Sequence, residues 1–77
     1  MTISVKAAGH LRQRMPDKRA EVTIDAAEAS DTTTLLRRLG LNPSQVWIIR
    51  VNGIHVGADH PLTDGDLVDL FPLVGGG

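Results

Sequence analysis

Only one segment of the chain, residues 27–40 (AEASDTTTLLRRLG), has the pattern of a helix, and that helix is too weak to stand alone. Ser30 or Asp31 can cap its start by accepting hydrogen bonds from the first free N–H groups, and Gly40 can end it in the left-handed conformation. Three threonines are poor helix formers, and so short a helix is marginal in water. Its leucines must therefore be held against a sheet, which the rest of the chain has to supply.

Alternation of apolar and polar residues predicts that sheet. Asn52-Gly53 tolerates positive φ at both central turn positions and is the strongest hairpin signal in the chain. In the last strand, Val68 and Leu70 are expected on one face and Phe71 on the other. The predicted order is β-β-α-β-β-β, an α+β fold in which one helix covers one face of a mixed sheet. The segments read as strands are 2–8 (TISVKAA), 21–25 (EVTID), both arms of 46–56 (VWIIRVNGIHV) and 67–71 (LVDLF).

Composition narrows the classes of function. The 77 residues form a single domain, and the absence of cysteine excludes disulfides and thiolate sites and fits a reducing cytoplasm. The formal charge is −1 and the aromatic residues are one Trp and one Phe, so neither the basic face nor the stacking platforms of a nucleic-acid-binding protein is visible. The N-terminus alternates and is read neither as a signal peptide nor as a membrane span. We expect a cytoplasmic protein that binds neither nucleic acid nor membrane.

Few side chains suggest chemistry of their own. His10, His55 and His60 lie in separate segments without ligand spacing, so no metal site is expected. No Ser/His/Asp set follows from spacing, so the chain is not expected to be an enzyme. Trp47 is interpreted as a packing residue at a strand start in preference to a binding anchor. The basic stretch around residues 11–19 (LRQR…DKR) is read as a solvated loop, with partner docking as the alternative.

The C-terminal heptapeptide, residues 71–77 (FPLVGGG), is the most distinctive motif. Glycines have no side chains to clash in a narrow channel and accept whatever backbone conformation the channel imposes. Seven extended residues span at most about 25 Å, which reaches well beyond the folded body. The terminal carboxylate has a pKa of about 3.5 and is ionised at neutral pH, so it is a poor electrophile until it is activated.

Together with the VNG hairpin, the PLTDGD turn and the FP pair, this ending resembles the MoaD/ThiS family of sulfur carriers in molybdopterin and thiamine biosynthesis. The resemblance implies the β-grasp, or ubiquitin-like, topology, with the last strand beside the first. It further implies a β-grasp domain over residues 1–72 and a flexible tail over residues 73–77.

The resemblance also implies the chemistry. An E1-like adenylyltransferase would use ATP and magnesium to adenylate Gly77, and a sulfur donor of the desulfurase or rhodanese type would convert it to a thiocarboxylate. The acceptor would be a large synthase subunit, or thiazole synthase in a thiamine carrier, and no cofactor would be bound by the chain itself. Phe71 and Pro72 would dock on the partner with Leu73 and Val74, although packing in the core remains an alternative for Phe71. Gly75 and Gly76 would thread into the active site.

The FP pair favours the molybdopterin type, which would make this chain the small subunit of molybdopterin synthase. Leu73, in place of a second proline, and the additional glycine leave the thiamine type open. A ubiquitin-like modifier conjugated through Gly77 is a third possibility.

Overall fold

The computed structural model describes residues 1–72, and within them five strands and one α-helix follow one another in the predicted order. Short 3₁₀ turns lie in the connections between the first strand and the third, the longest being Gly9–Arg14 after the first strand. The elements are β1 (Thr2–Ala7), β2 (Glu21–Asp25), α1 (Thr32–Leu39), β3 (Val46–Val51), β4 (Ile54–Val56) and β5 (Leu67–Pro72).

All five strands form one mixed sheet in the order β2-β1-β5-β3-β4. β5 lies at the centre, parallel to β1 and antiparallel to β3, and the two outer pairs are antiparallel hairpins. The predicted placement of the last strand beside the first is therefore confirmed. The last described residues thus lie in the middle of the sheet, between β1 and β3.

The helix begins and ends at residues that the sequence analysis named. Asp31 is the N-cap, and its carboxylate accepts a hydrogen bond of 2.7 Å from the backbone N–H of Thr34. This bond, which favours the ionised form, holds the pKa of Asp31 below its ordinary value. Gly40 ends the helix with φ at +79°, a conformation that glycine adopts without a steric cost.

One face of the sheet packs on the helix and the other is open. Leu35 and Leu39 of α1 pack against Ile3 and Val5 of β1 and Leu70 of β5, and all of these side chains are buried. The polar residues of β1, β3 and β5 alternate with these core positions and lie on the opposite face.

The sequence suggested that the loop after β1 is solvated, but two of its side chains are buried. Leu11 is 1% exposed and Met15 is 3% exposed, and both belong to the core. They fix the two 3₁₀ turns of this loop to the body of the domain. Within residues 1–72 no helix has the length and apolarity needed to cross a bilayer.

Candidate functional site

The candidate site surrounds the end of β5, at the last residues that the structure describes. Alternation along this strand buries Val68, Leu70 and Pro72 against the core and turns Phe71 to the open face. Phe71 is half-buried and its cross-strand neighbour on β3 is Ile48. Phe71 is therefore not part of the core beneath the helix, and it lies on the face that a partner can approach.

Arg50 fixes the surface around Phe71. Its guanidinium carbon lies 5.1 Å from the centroid of the Phe71 ring, within the range of a cation–π interaction. Arg50 follows Ile48 by two residues on β3, and the two side chains therefore share a face of the sheet. An aromatic ring with a cation over it can offer a partner both apolar area and charge.

Trp47 is placed differently from the sequence interpretation. It is 60% exposed, so the prediction that it packs at the start of a strand is wrong. The register between β3 and β5 shifts between Val46 and Ile48, which is the signature of a β-bulge. A bulge leaves one residue unpaired and turns its side chain, and here that residue is Trp47.

Trp47, Arg50 and Phe71 border a shallow groove on the surface, which we call the apolar groove. It is lined by Ala8, Gly9, Trp47, Ile48, Arg50, Phe71 and Pro72. Its lining is almost entirely hydrocarbon, and it lies directly at the last described residue of the chain.

Pro72 closes β5 and pairs with Val46 of β3. Proline has a fixed φ and no backbone N–H, so the hydrogen-bonded ladder cannot continue through it. Its side chain is buried, and the contact with a partner that the sequence suggested for it stays a prediction. The other predicted site residues, Leu73, Val74, Gly75, Gly76 and Gly77, lie outside the described residues.

A second groove, which we call the basic groove, lies on the other side of Phe71. Four cationic side chains line it: Lys6 from β1, and Arg12, Lys18 and Arg19 from the loop after it. Glu21 and Asp69 line it as well. The end of β5 thus runs between a basic and an apolar surface, and Phe71 lines both.

A row of charges crosses the open face next to Phe71. The register of the strands aligns Glu21, Lys6, Asp69, Arg50 and His55, one from each strand in sheet order. Lys6 Nζ lies 3.4 Å from Glu21 Oε1. The signs alternate along the first four members, so each cation of the row has a carboxylate as a strand neighbour.

Within residues 1–72, no three side chains of the metal-binding types cluster closely enough to hold a metal ion. Trp47, Ile48 and Arg50, which build the apolar groove, were not among the predicted site residues. The run of four apolar residues at 46–49 (VWII) breaks the strict alternation of a strand. This break could have indicated that one of the four side chains does not point into the core.

Comparison with known proteins agrees with this architecture. Subunit 1 of the molybdopterin-converting factor of Helicobacter pylori, solved as a complex with subunit 2, is 28% identical over the whole of both chains, with a TM-score of 0.64. A putative molybdopterin converting factor subunit 1 of Pyrococcus furiosus is 25% identical over 95% of this chain and 98% of its own, with a TM-score of 0.72. Urm1 of Trypanosoma brucei shares the fold at 20% identity, with a TM-score of 0.73 over 99% of this chain and 95% of its own. No curated protein sequence matches significantly.

The sheet order, the single helix and these neighbours define a protein of the ubiquitin-like β-grasp class. The model of the ThiS family matches residues 6–77. The chain belongs to the ThiS family, whose members are small ubiquitin-like sulfur carriers.

Proposed function

We propose that this protein carries sulfur as a thiocarboxylate on Gly77 and delivers it in molybdopterin biosynthesis. The observation that carries the proposal is the family match, which extends through the terminal glycines to residue 77. The molybdopterin assignment is supported by the 28% identity to subunit 1 of the Helicobacter pylori converting factor over both full chains.

The chemistry follows from the poor reactivity of a carboxylate. A carboxylate oxygen of Gly77 attacks the α-phosphorus of ATP on an E1-like adenylyltransferase, forming an acyl-adenylate with loss of pyrophosphate. The terminal sulfur of the cysteine persulfide on a desulfurase or rhodanese-type donor then attacks the carbonyl carbon and expels AMP. A second thiol cleaves the resulting acyl disulfide, which releases the thiocarboxylate and leaves a disulfide on the donor side. The activating enzyme supplies the nucleotide pocket, and this chain supplies the reacting carboxylate and the surface that presents it.

The described residues suit that presentation. Phe71 and Trp47 give the partner an apolar surface at the base of the tail. Exposed aromatic side chains commonly anchor protein interfaces because they bury a large area at a small entropic cost. A partner that covers this surface lies within reach of the glycines that follow.

A mass measurement tests the carrier function. The purified protein is incubated with ATP, magnesium, the E1-like enzyme of its own organism and a sulfur donor, and its intact mass is then taken. We expect a mass increase equal to the replacement of one oxygen by sulfur, and none when ATP is omitted. No change with an adenylyltransferase shown to be active would overturn the proposal, and higher-mass conjugates resistant to reductant would identify a protein modifier instead.

A transfer experiment tests the pathway. The thiocarboxylated protein is mixed separately with the large subunit of molybdopterin synthase and with thiazole synthase, each with its substrate. We expect the mass to return to that of the carboxylate only with the molybdopterin synthase subunit. Loss of sulfur to thiazole synthase alone would instead identify the protein as a thiamine-type carrier.

A further inference from the structure

The basic groove carries positive charge that the described part of the chain does not neutralise. The ion pairs within residues 1–72 join Lys6 to Glu21 and Arg38 to Glu28. Arg12, Lys18 and Arg19 have no such partner among these residues, and all three are exposed. Since the formal charge of the whole chain is −1, this concentration of cations is local.

The two carboxylates that line the groove lie on strands of the sheet and not on the loop. Glu21 is the ion-pair partner of Lys6. Asp69 stands in register between Lys6 and Arg50 on the neighbouring strands. Four cations and two carboxylates line the groove, so the positive charges of its lining outnumber the negative ones by two.

The loop that carries these cations is held in a fixed shape. Leu11 and Met15 anchor it in the core. Asp17 and Lys18 have φ values of 55° and 54°, a left-handed conformation that is costly for residues other than glycine. Such a conformation persists only where the surroundings impose it, so the backbone of this loop presents Lys18 and Arg19 from a defined position.

The basic groove lies close to the end of β5, so an enzyme that binds the residues after β5 comes near it. Phe71 lines its edge, and only five residues follow Pro72. Five extended residues span at most about 18 Å. An enzyme that holds Gly77 in its active site therefore has to come close to the surface around Phe71, where the basic groove begins.

We propose that Arg12, Lys18 and Arg19 bind an acidic segment of the enzyme that activates Gly77. This inference rests on the proposed function and adds the chemistry of the partner's surface to it. The cations steer the two proteins together and set their orientation, while the apolar groove supplies the desolvated contact. The carboxylates of the partner are expected to lie beside the channel that receives the tail.

A matched pair of double variants tests the proposal. Arg12→Glu/Arg19→Glu reverses two charges in the groove, and Arg14→Glu/Arg37→Glu reverses two exposed arginines outside its lining. Both variants change the net charge equally and replace the same residue type. In ATP–pyrophosphate exchange with the E1-like enzyme, we expect the KM for the groove variant to rise about tenfold or more with kcat within about twofold, because charges at an interface act mainly on association.

Salt provides a second readout. The KM of the unaltered protein is expected to rise with ionic strength, and that of the groove variant to rise much less, because the attractive pairs have been removed. Circular dichroism melting of both variants is the check on folding, and we expect melting temperatures close to that of the unaltered protein because the substituted residues are exposed.

Direct contact is tested by a carbodiimide, which joins a lysine amine to a carboxylate as an amide. We expect Lys18 to be linked to an Asp or Glu of the activating enzyme, as read by mass spectrometry. Equal KM values for the two double variants, with normal exchange by the unaltered protein, would overturn this inference alone. Failure of the unaltered protein to support exchange would overturn the proposed function and this inference with it.

Discussion

The guanidinium carbon of Arg50 lies 5.1 Å from the centroid of the Phe71 ring, and the two residues sit on the neighbouring strands β3 and β5. Residue 71 is followed by only six more residues. The interaction therefore involves the last aromatic side chain before the glycines that we propose carry the chemistry. Its place on the open face makes it accessible to the enzyme that we propose activates Gly77.

Phe71→Ala should weaken activation more than it weakens the fold. The ring is half-buried on the open face, and the interaction with Arg50 is worth about 0.5–1 kcal/mol at such a site. We expect the KM in pyrophosphate exchange to rise several-fold while the melting temperature falls only slightly. Leu67→Ala is the matched control, since Leu67 is exposed on the same strand and the same face at its other end. An equal rise in KM for both variants would contradict a specific role for Phe71.

Trp47 gives a direct optical test of the apolar groove. It is the single tryptophan of the chain and is 60% exposed. Its fluorescence should show the emission of a hydrated indole and be readily quenched by acrylamide, and binding of the activating enzyme should shift the emission to the blue and protect it. A tryptophan-free variant of the enzyme removes background emission. Unchanged quenching in the complex would show that the partner does not cover this groove.

Truncation of Trp47 should separate binding from stability. Because Trp47→Ala changes an exposed side chain, the free energy of unfolding should move by no more than about 0.5 kcal/mol. The KM for activation should rise in the same assay. Denaturant unfolding followed by circular dichroism measures the first quantity, and a loss of several kcal/mol would restore the packing role that the sequence suggested.

The sequence predicted well wherever local rules decide the structure. Asp31 and Gly40 bound the helix through hydrogen bonding and backbone conformation that need no tertiary information. The same holds for Asn52 and Gly53, whose φ values of 53° and 83° lie in the left-handed region that their turn requires. The central position of β5 needed the family resemblance in addition, because alternation does not say which strands pair.

Predictions from sequence were poorer where a single residue depends on distant neighbours. Leu11 and Met15 are isolated apolar residues in a polar stretch, so no period indicated that they belong to the core. Trp47 is turned outward by a bulge in the β3–β5 register, and Arg50 meets Phe71 only through that register. Cross-strand alignment is a property of the folded sheet and cannot be read along the chain.

Stability should depend on pH through Asp66. Its carboxylate accepts a hydrogen bond of 2.8 Å from the Thr63 N–H and one of 2.9 Å from the Asn52 side chain. These bonds, the one from Thr63 first, hold the pKa of Asp66 below its ordinary value of 3.8. The folded state therefore binds this proton less readily than the unfolded state does. The stabilisation is complete above the unfolded pKa and is lost as the pH falls through the lower folded value.

Asp66→Asn should flatten that dependence. The amide keeps one oxygen acceptor and loses the ionised form, so the variant should be less stable at neutral pH and should approach the unaltered protein in acid. Urea unfolding at a series of pH values between neutrality and about pH 3 measures the difference, which should shrink as the pH falls below the ordinary aspartate value. A difference that stays constant over this range would show that Asp66 acts through its shape and not through its charge.

Deletion of Gly77 should abolish activation without unfolding the domain. All core residues that the structure describes lie between Ile3 and Leu70, and the proposed chemistry needs the carboxylate at the position that residue 77 gives it. Gly76→Leu should have the same effect for a different reason, because its side chain would have to enter a channel that accepts glycine. Intact mass after incubation with ATP, the E1-like enzyme and a sulfur donor should show no thiocarboxylate for either variant. The melting temperature should match that of the unaltered protein, and a deletion that unfolds the domain would show that the tail is structural and that its proposed role as a substrate is wrong.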